Sequence, residues 1–477
     1  MYNDSNHQKF RKRRCSMENK NRSEWGSSFG FLMAAVGSAV GLGNIWGFPY
    51  KMGKGGGFAF VLICLFFAVT VGFVVMVSEL AIGRKARMDA YGSYKKLDKK
   101  FGFVGALGVL AAFIILSFYC VLGGWVLKYA FTYLLEMFGM GFYGADGAEY
   151  FTSFISETWE PIFWFALFIG LTAGIVVLGV EKGIEKFSKI MMPALFIMLT
   201  IVIIRSVTLP GASAGLAFMF KPDFSVFSSF DSTITVASTA LAQMFFSLSL
   251  GMGITVVYGS YLGKEQEIEK SAIIVPILDT LVAILAGVAI MPAVFAFDLD
   301  PSAGPGLMFI TLKQVFDSMM FGSFFGLLFF VFVFFAAMSS SIALLEVVCS
   351  FFIDTKKMER KKTTMIATLG VFLLGIPVTL GFGVLSHVRP LMGMDFLDTF
   401  DFIAEYTMMP LGALLMCLLI GWKWKPDMIV EEVKQNGKPF KFEAYYRFMI
   451  KYVTPLLVAF VLYKSSIEAV VKYFLNN

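Results

Sequence analysis

The chain has 477 residues, 57% hydrophobic and 16% charged, with a mean hydropathy of +0.74 and a formal net charge of +6. A water-soluble domain of this size could not hide so much apolar surface, so a polytopic membrane protein is expected. The basic excess does not point to nucleic acid, because it gathers in the loops of one side.

In chain order, residues 1–27 form a polar tail with the run Lys9-Phe10-Arg11-Lys12-Arg13-Arg14. It reads as a cytoplasmic basic tail able to touch anionic lipid heads. Hydrophobic segments long enough for a bilayer follow near 28–50, 57–82, 103–136, 161–180, 187–206, 232–262, 271–297, 322–353, 363–384, 396–424 and 448–474. The expected fold is therefore all-α, with about eleven transmembrane helices. The tail, Arg84 to Lys100, Lys182 to Lys189, Lys264 to Lys270, Lys356 to Lys362 and Lys423 to Arg447 hold most of the basic residues. Positive charge stays inside, which places the N-terminus in the cytoplasm and, with eleven spans, the C-terminus outside.

Two spans are interrupted. The first contains Gly41, Gly43, Asn44, Gly47 and Pro49; the sixth contains Ser247-Leu248-Ser249-Leu250-Gly251-Met252-Gly253. Glycine weakens a helix, and in lipid a freed peptide group has no water to satisfy it. Such breaks belong where the backbone lines a cavity inside the protein. Paired breaks of this kind mark the binding site of a secondary transporter built as an inverted repeat. The repeats would be 28–206 and 207–424, with a linker and last span over 425–477. In the fifth span, Gly183 and Pro193 bracket a stretch whose cytoplasmic end is expected to unwind easily.

No catalytic signature, nucleotide motif or phosphate loop is present, so neither an enzyme nor an ATP-driven pump is expected. His7 and His387 have no metal partner at ligand spacing, and Cys15, Cys64, Cys120, Cys349 and Cys417 give no disulfide or metal framework. What the spans hold is oxygen: Asn44, Ser247, Ser249, Asp279 and Ser339-Ser340-Ser341. A carboxylate inside a span is costly and is a functional candidate by default. Serine also glues membrane helices. Together with unwound carbonyls, these groups make the hard-oxygen set a small alkali cation needs. The amides bared at the breaks favour a carboxylate.

The string Trp25 to Tyr50, the Tyr119…Trp125 pair, Phe245 to Gly253 and the span 8 serines resemble the neurotransmitter:sodium symporter family. More narrowly, they resemble its bacterial amino-acid transporters with the leucine-transporter fold. The resemblance implies a first sodium held by the Ala39 carbonyl, Asn44, Ser247, Asp279 and the substrate carboxylate. It implies a second at Gly37, Val40, Ala336, Ser339 and Ser340. The substrate carboxylate would meet the Leu42 and Gly43 amides and Tyr119, and its ammonium the carbonyls of Ala39, Phe246 and Ser247, with Ser249 nearby. Ile115, Phe246, Met252, Ser340 and Leu344 would line the side-chain pocket.

Many relatives carry asparagine where Asp279 stands, and animal members need chloride; a built-in carboxylate implies chloride independence. Monoamine carriers have aspartate where Gly41 stands, so an intact α-amino acid is implied here. The inner gate would join Arg22 and Trp25 to Asp354 and Tyr261. The outer gate acid would be Asp401, but the family's usual arginine partner is replaced by Gly47.

The implied protein is a sodium-coupled symporter of hydrophobic or aromatic L-amino acids. It would work by alternating access in the bacterial cytoplasmic membrane, with two sodium ions and no organic cofactor, the monomer being sufficient. The alternatives are a proton-coupled carrier in which Asp279 titrates and a non-transporting amino-acid sensor.

Overall fold

The computed structural model describes residues 23–142, 146–301 and 306–476; the basic tail and Arg22 lie outside them. Helices follow one another with no strand among the described residues, only an isolated bridge between Leu391 and Met394. We number the principal ones α1 (Ser28–Ala39), α2 (Gly43–Lys54), α3 (Phe58–Ala86), α4 (Gly102–Glu136), α5 (Trp159–Val177) and α6 (Val180–Val207). Then come α7 (Phe230–Ser247), α8 (Ile254–Ser260), α9 (Ile268–Ala296), α10 (Gly322–Lys356), α11 (Arg360–Leu380), α12 (Phe396–Trp424) and α13 (Glu443–Leu475).

Among the described residues nine helices are long and apolar enough to cross a membrane, and the bent pair α1/α2, at 49°, makes a tenth. The expected sixth span is the pair α7/α8. Its first half carries Asp231, Thr233, Thr235, Thr239 and Gln243, and is more polar than the rest. Burial sorts the bundle into layers: α3, α4 and α10 are 67–72% buried over their apolar windows, against 33–39% for α5, α6, α11 and α13. The first three form the centre, and the outer four turn most of their surface to lipid.

Both expected breaks are present. α1 stops at Ala39, Val40 is extended (φ −72°, ψ 101°), and the chain resumes as a wide-wound turn, Gly43–Gly47, before Phe48–Lys54. Between α7 and α8, Ser249, Gly251 and Gly253 take φ of 55°, 77° and 79°. Glycine enters that left-handed region without the steric penalty of a Cβ. Ser249 bears that penalty, offset by its hydroxyl donating to the Ser38 carbonyl at 2.9 Å. Gly251 could not be replaced on packing grounds either, since a Cβ there would sit 2.6 Å from the Met409 carbonyl oxygen.

In α6 the helix runs unbroken through Pro193, but its first turn, Val180–Glu185, is wound wide. Such turns cluster at functional sites. α3 and α8 cross at two glycines. A Cβ on Gly83 would overlap the Val256 carbonyl oxygen, and one on Gly259 would lie 2.5 Å from the Leu80 carbonyl oxygen. Small residues on facing helices let backbones meet this closely in a membrane.

Candidate functional site

The two breaks face each other, and side chains from three helices close the gap. Asn44 sits at the foot of α2 and its Oδ1 accepts from the Gly41 N–H at 3.0 Å, satisfying a peptide group bared at the break. Its Nδ2 donates to Ser247 Oγ at 3.0 Å and to Asp279 Oδ1 at 2.7 Å. Ser247 Oγ in turn donates to Asp279 Oδ2 at 2.8 Å. All three side chains are buried. Asp279 is thus an ionisable group deep in the bundle, held by an amide and a hydroxyl. The amide nitrogen, not the oxygen, faces the carboxylate, as two acceptor oxygens require a donor.

The span 8 serines meet the first break from the other side. Ser339 Oγ donates to the Ala336 carbonyl at 2.9 Å and reaches the Val40 carbonyl at 3.5 Å. Ser340 Oγ donates to the Ser38 carbonyl at 3.1 Å. A Cβ on Gly37 would lie 3.4 Å from the Ser339 Cβ, so Gly37, Val40, Ala336, Ser339 and Ser340 share one small volume. Asn44, Ser247 and Asp279 are thus neighbours in one group, and Ser339 and Ser340 meet the first break in another.

Beside them lies a cavity of about 20 Å³, lined by Ser38, Ala39, Gly41, Gly43, Ile115, Tyr119, Phe246, Ser247, Ser249, Met252, Ile254, Ser340 and Leu344. The whole expected substrate set except Leu42 lines it. Leu42 contributes its N–H, which donates to the Tyr119 hydroxyl at 3.1 Å. The cavity has room for about one water. A Cβ on Gly41 would overlap Ser340 Oγ and lie 2.7 Å from the Tyr119 hydroxyl; one on Gly43 would strike the Phe246 ring at 2.8 Å. Both glycines are needed for the approach of α1/α2 to its neighbours.

Two buried groups at the breaks escape a reading of the sequence. Glu79, on α3, accepts from the Gly251 N–H at 3.0 Å and from the Thr255 hydroxyl. It supplies acceptors to the unwound stretch, which has no helix ladder of its own. Gln243 donates through Nε2 to the Gly43 carbonyl at 2.8 Å, while its Oε1 is buried with no protein partner. Glu79 lies within the hydrophobic run 57–82 and Gln243 precedes Phe245 by two positions, so each is a polar outlier in a span, detectable by the criterion that picked out Asp279.

Of the expected inner gate, Trp25 and Tyr261 are together. Trp25 Nε1 donates to the Tyr258 carbonyl at 3.1 Å, and its ring meets Tyr258 and Tyr261 edge-on, with centroids 5.1 and 6.1 Å away. Tyr261 donates to Glu346 Oε1 at 2.6 Å, and Arg360 grips both oxygens of Glu346 at 2.6 and 2.9 Å. Asp354 accepts from the Asp89 N–H at 2.6 Å, and Arg22 lies outside the described residues. A further clamp ties the N-terminal segment to α6. Glu185 accepts from the Gly26 N–H at 2.7 Å and the Ser27 hydroxyl at 3.0 Å, and pairs with Lys189 at 2.6 Å. On the outer side Lys51 pairs with Glu405, four residues beyond Asp401 on α12.

Comparison with known proteins gives one consistent result. The model of the family described as "Sodium:neurotransmitter symporter family" matches residues 22–140 and 150–476. An uncharacterized sodium-dependent transporter of Bacillus subtilis, YhdH, is 38% identical over 446 residues, covering 92% of this chain and 96% of that one. One from Haemophilus influenzae is 34% identical over 456 residues, covering 92% and 97%. Among solved structures, MhsT in complex with L-phenylalanine superposes with a TM-score of 0.85 at 41% identity, covering 94% of this chain and all of that one.

Proposed function

The chain belongs to the sodium:neurotransmitter symporter family, whose members are sodium-dependent transporters and not enzymes. From that premise we propose that it carries hydrophobic or aromatic L-amino acids inward with two sodium ions and without chloride. The observation that carries the reading is the convergence of Asn44, Ser247 and Asp279 on two facing helix breaks, beside a cavity.

One sodium ion is assigned to the Ala39 carbonyl, Asn44, Ser247, Asp279 and the substrate carboxylate. Asn44 turns its amide oxygen toward the ion, replacing the donor that now faces Asp279. The other ion is assigned to Gly37, Val40, Ala336, Ser339 and Ser340. The substrate carboxylate meets the Leu42 and Gly43 amides and the Tyr119 hydroxyl; its ammonium meets the carbonyls at Ala39, Phe246 and Ser247. A hydrophobic side chain suits Ile115, Met252, Ile254 and Leu344, and methionine adapts to its contour. The amino acid bound to MhsT supports the same class.

Coupling follows from differential affinity: ions and substrate complete one coordination set, so each stabilises the state that binds the other. Spans 1, 2, 6 and 7 then rock against the rest, with Trp25, Arg22, Tyr261 and Asp354 closing the inner side. On this reading the chain is a 5+5 inverted repeat, 28–206 and 207–424, with the N-terminus in the cytoplasm and the monomer as the working unit.

The test is uptake of labelled L-amino acids into proteoliposomes, with sodium or choline outside, at two pH values. Sodium-driven accumulation independent of pH and of chloride is expected. Full uptake in choline that follows a pH gradient would establish a proton-coupled carrier instead. Binding without accumulation would establish a sensor.

A further inference from the structure

Along α2 three residues at four-residue spacing lie on one face, Gly43, Gly47 and Lys51. Each meets a different layer above the cavity. Gly43 is covered by the Phe246 ring, and a Cβ on Gly47 would lie 3.2 Å from Gln243 Oε1. Lys51 places Nζ 3.1 Å from Glu405 Oε1 on α12, with the two side chains 14% and 5% exposed. Position 47 has no side chain to offer Asp401, and the charge is supplied one helical turn along. The acid that receives it is likewise four residues beyond Asp401.

The surroundings fit a contact made to be broken. Glu405 belongs to the seven-residue wide-wound stretch Phe402–Met408, a type of turn that recurs at functional positions. Asp401 stands four residues before Glu405 on the same helix. An ion pair this sheltered is satisfied while the two helices touch. Separating it leaves two bare charges unless water follows them in. Opening the gap and wetting it are therefore one event.

We propose that the Lys51–Glu405 pair is the outermost closure over the binding cavity, in place of a charge pair at Asp401. This rests on the transport reading above. It puts the ionic contact between the outer half of span 1 and span 10 at residues that a motif comparison at positions 47 and 401 passes over.

The experiment uses the full chain in proteoliposomes. Lys51→Glu and Glu405→Lys are made singly and together, with Asp401→Asn as a fourth variant. Three quantities are read: sodium-driven uptake of L-phenylalanine, its equilibrium binding, and amide hydrogen exchange over Phe48–Lys54. Each single reversal should cut uptake about tenfold or more, leave the binding constant within about threefold, and raise exchange. The double variant should regain uptake to within about threefold and restore protection, and Asp401→Asn should keep about half of the uptake or more. Wild-type uptake and exchange in both single variants would overturn the proposal. So would a monodisperse double variant no better than the singles. Where a reversal aggregates, Lys51→Gln removes the charge without inverting it, and unchanged exchange there counts against the pair. If the unaltered protein accumulates neither L-phenylalanine nor any other hydrophobic amino acid, the transport reading falls, and the exchange data still decide whether the pair holds the helices together.

Discussion

Asn44 Nδ2 lies 2.7 Å from Asp279 Oδ1 although 235 residues separate them along the chain. Removing the charge while keeping the shape is the direct probe of that contact. Asp279→Asn should raise the sodium concentration needed for half-maximal amino-acid binding about tenfold, equivalent to about 1.4 kcal/mol, or make binding depend on chloride. Sodium titrations in chloride and in gluconate measure both effects. Identical curves for the variant and the unaltered protein would remove Asp279 from the ion site.

Glu79 supplies acceptors to the Gly251 N–H and the Thr255 hydroxyl, where the backbone has no helical partner. A buried donor left unsatisfied costs about 1–3 kcal/mol, and an amide side chain keeps only one acceptor oxygen. Glu79→Gln should therefore lower the thermal unfolding midpoint in detergent and weaken substrate binding together. A variant as stable and as tight-binding as the parent would show that the unwound stretch holds itself.

Gly41 has no room for a side chain, because a Cβ there would overlap Ser340 Oγ. Gly41→Asp should weaken amino-acid binding at least about tenfold, since the added carboxylate displaces Ser340 or Tyr119 and repels the substrate carboxylate. Gly170→Ala is the matched control: nothing lies within 4 Å of a Cβ at that position on α5, and activity should be retained. Competition binding of L-phenylalanine reads both variants.

Gly30 packs against Glu185 so closely that a Cβ would overlap Oε1. Gly30→Ala should push the carboxylate away from the Gly26 N–H and the Ser27 hydroxyl, loosening the segment that carries Trp25. Amide hydrogen exchange at residues 24–30 should rise, with α10 unaffected. Unchanged protection would mean that Trp25, through its own bond to the Tyr258 carbonyl, holds the segment alone.

The two helix breaks were legible because their cause is local: Gly41, Gly43, Gly251 and Gly253 weaken a helix wherever they occur, and a break inside lipid needs a cavity. Asp279 was legible by its isolation among apolar neighbours. In α6, where Gly183 and Pro193 led to an expectation of easy unwinding, the helix runs on through Pro193 and its first turn, Val180–Glu185, is wound wide. Contacts between distant charges were not legible. Lys51 and Glu405 are 354 residues apart, and Arg84 and Glu432, a fully buried pair at 2.8 Å, are 348 apart. Each of these residues alone reads as an ordinary charge near the end of a span. Only the packing that brings the spans side by side reveals which charges are partners.

The crossing of α3 and α8 at Gly83 and Gly259 leaves no slack between two backbones. With the carbonyls of Val256 and Leu80 seated against those glycines, neither rod can slip or roll over the other. The short helix α8 is thus splinted against the Phe73–Ala86 half of α3, so a tilt begun at the Gly253 joint has to take that half with it.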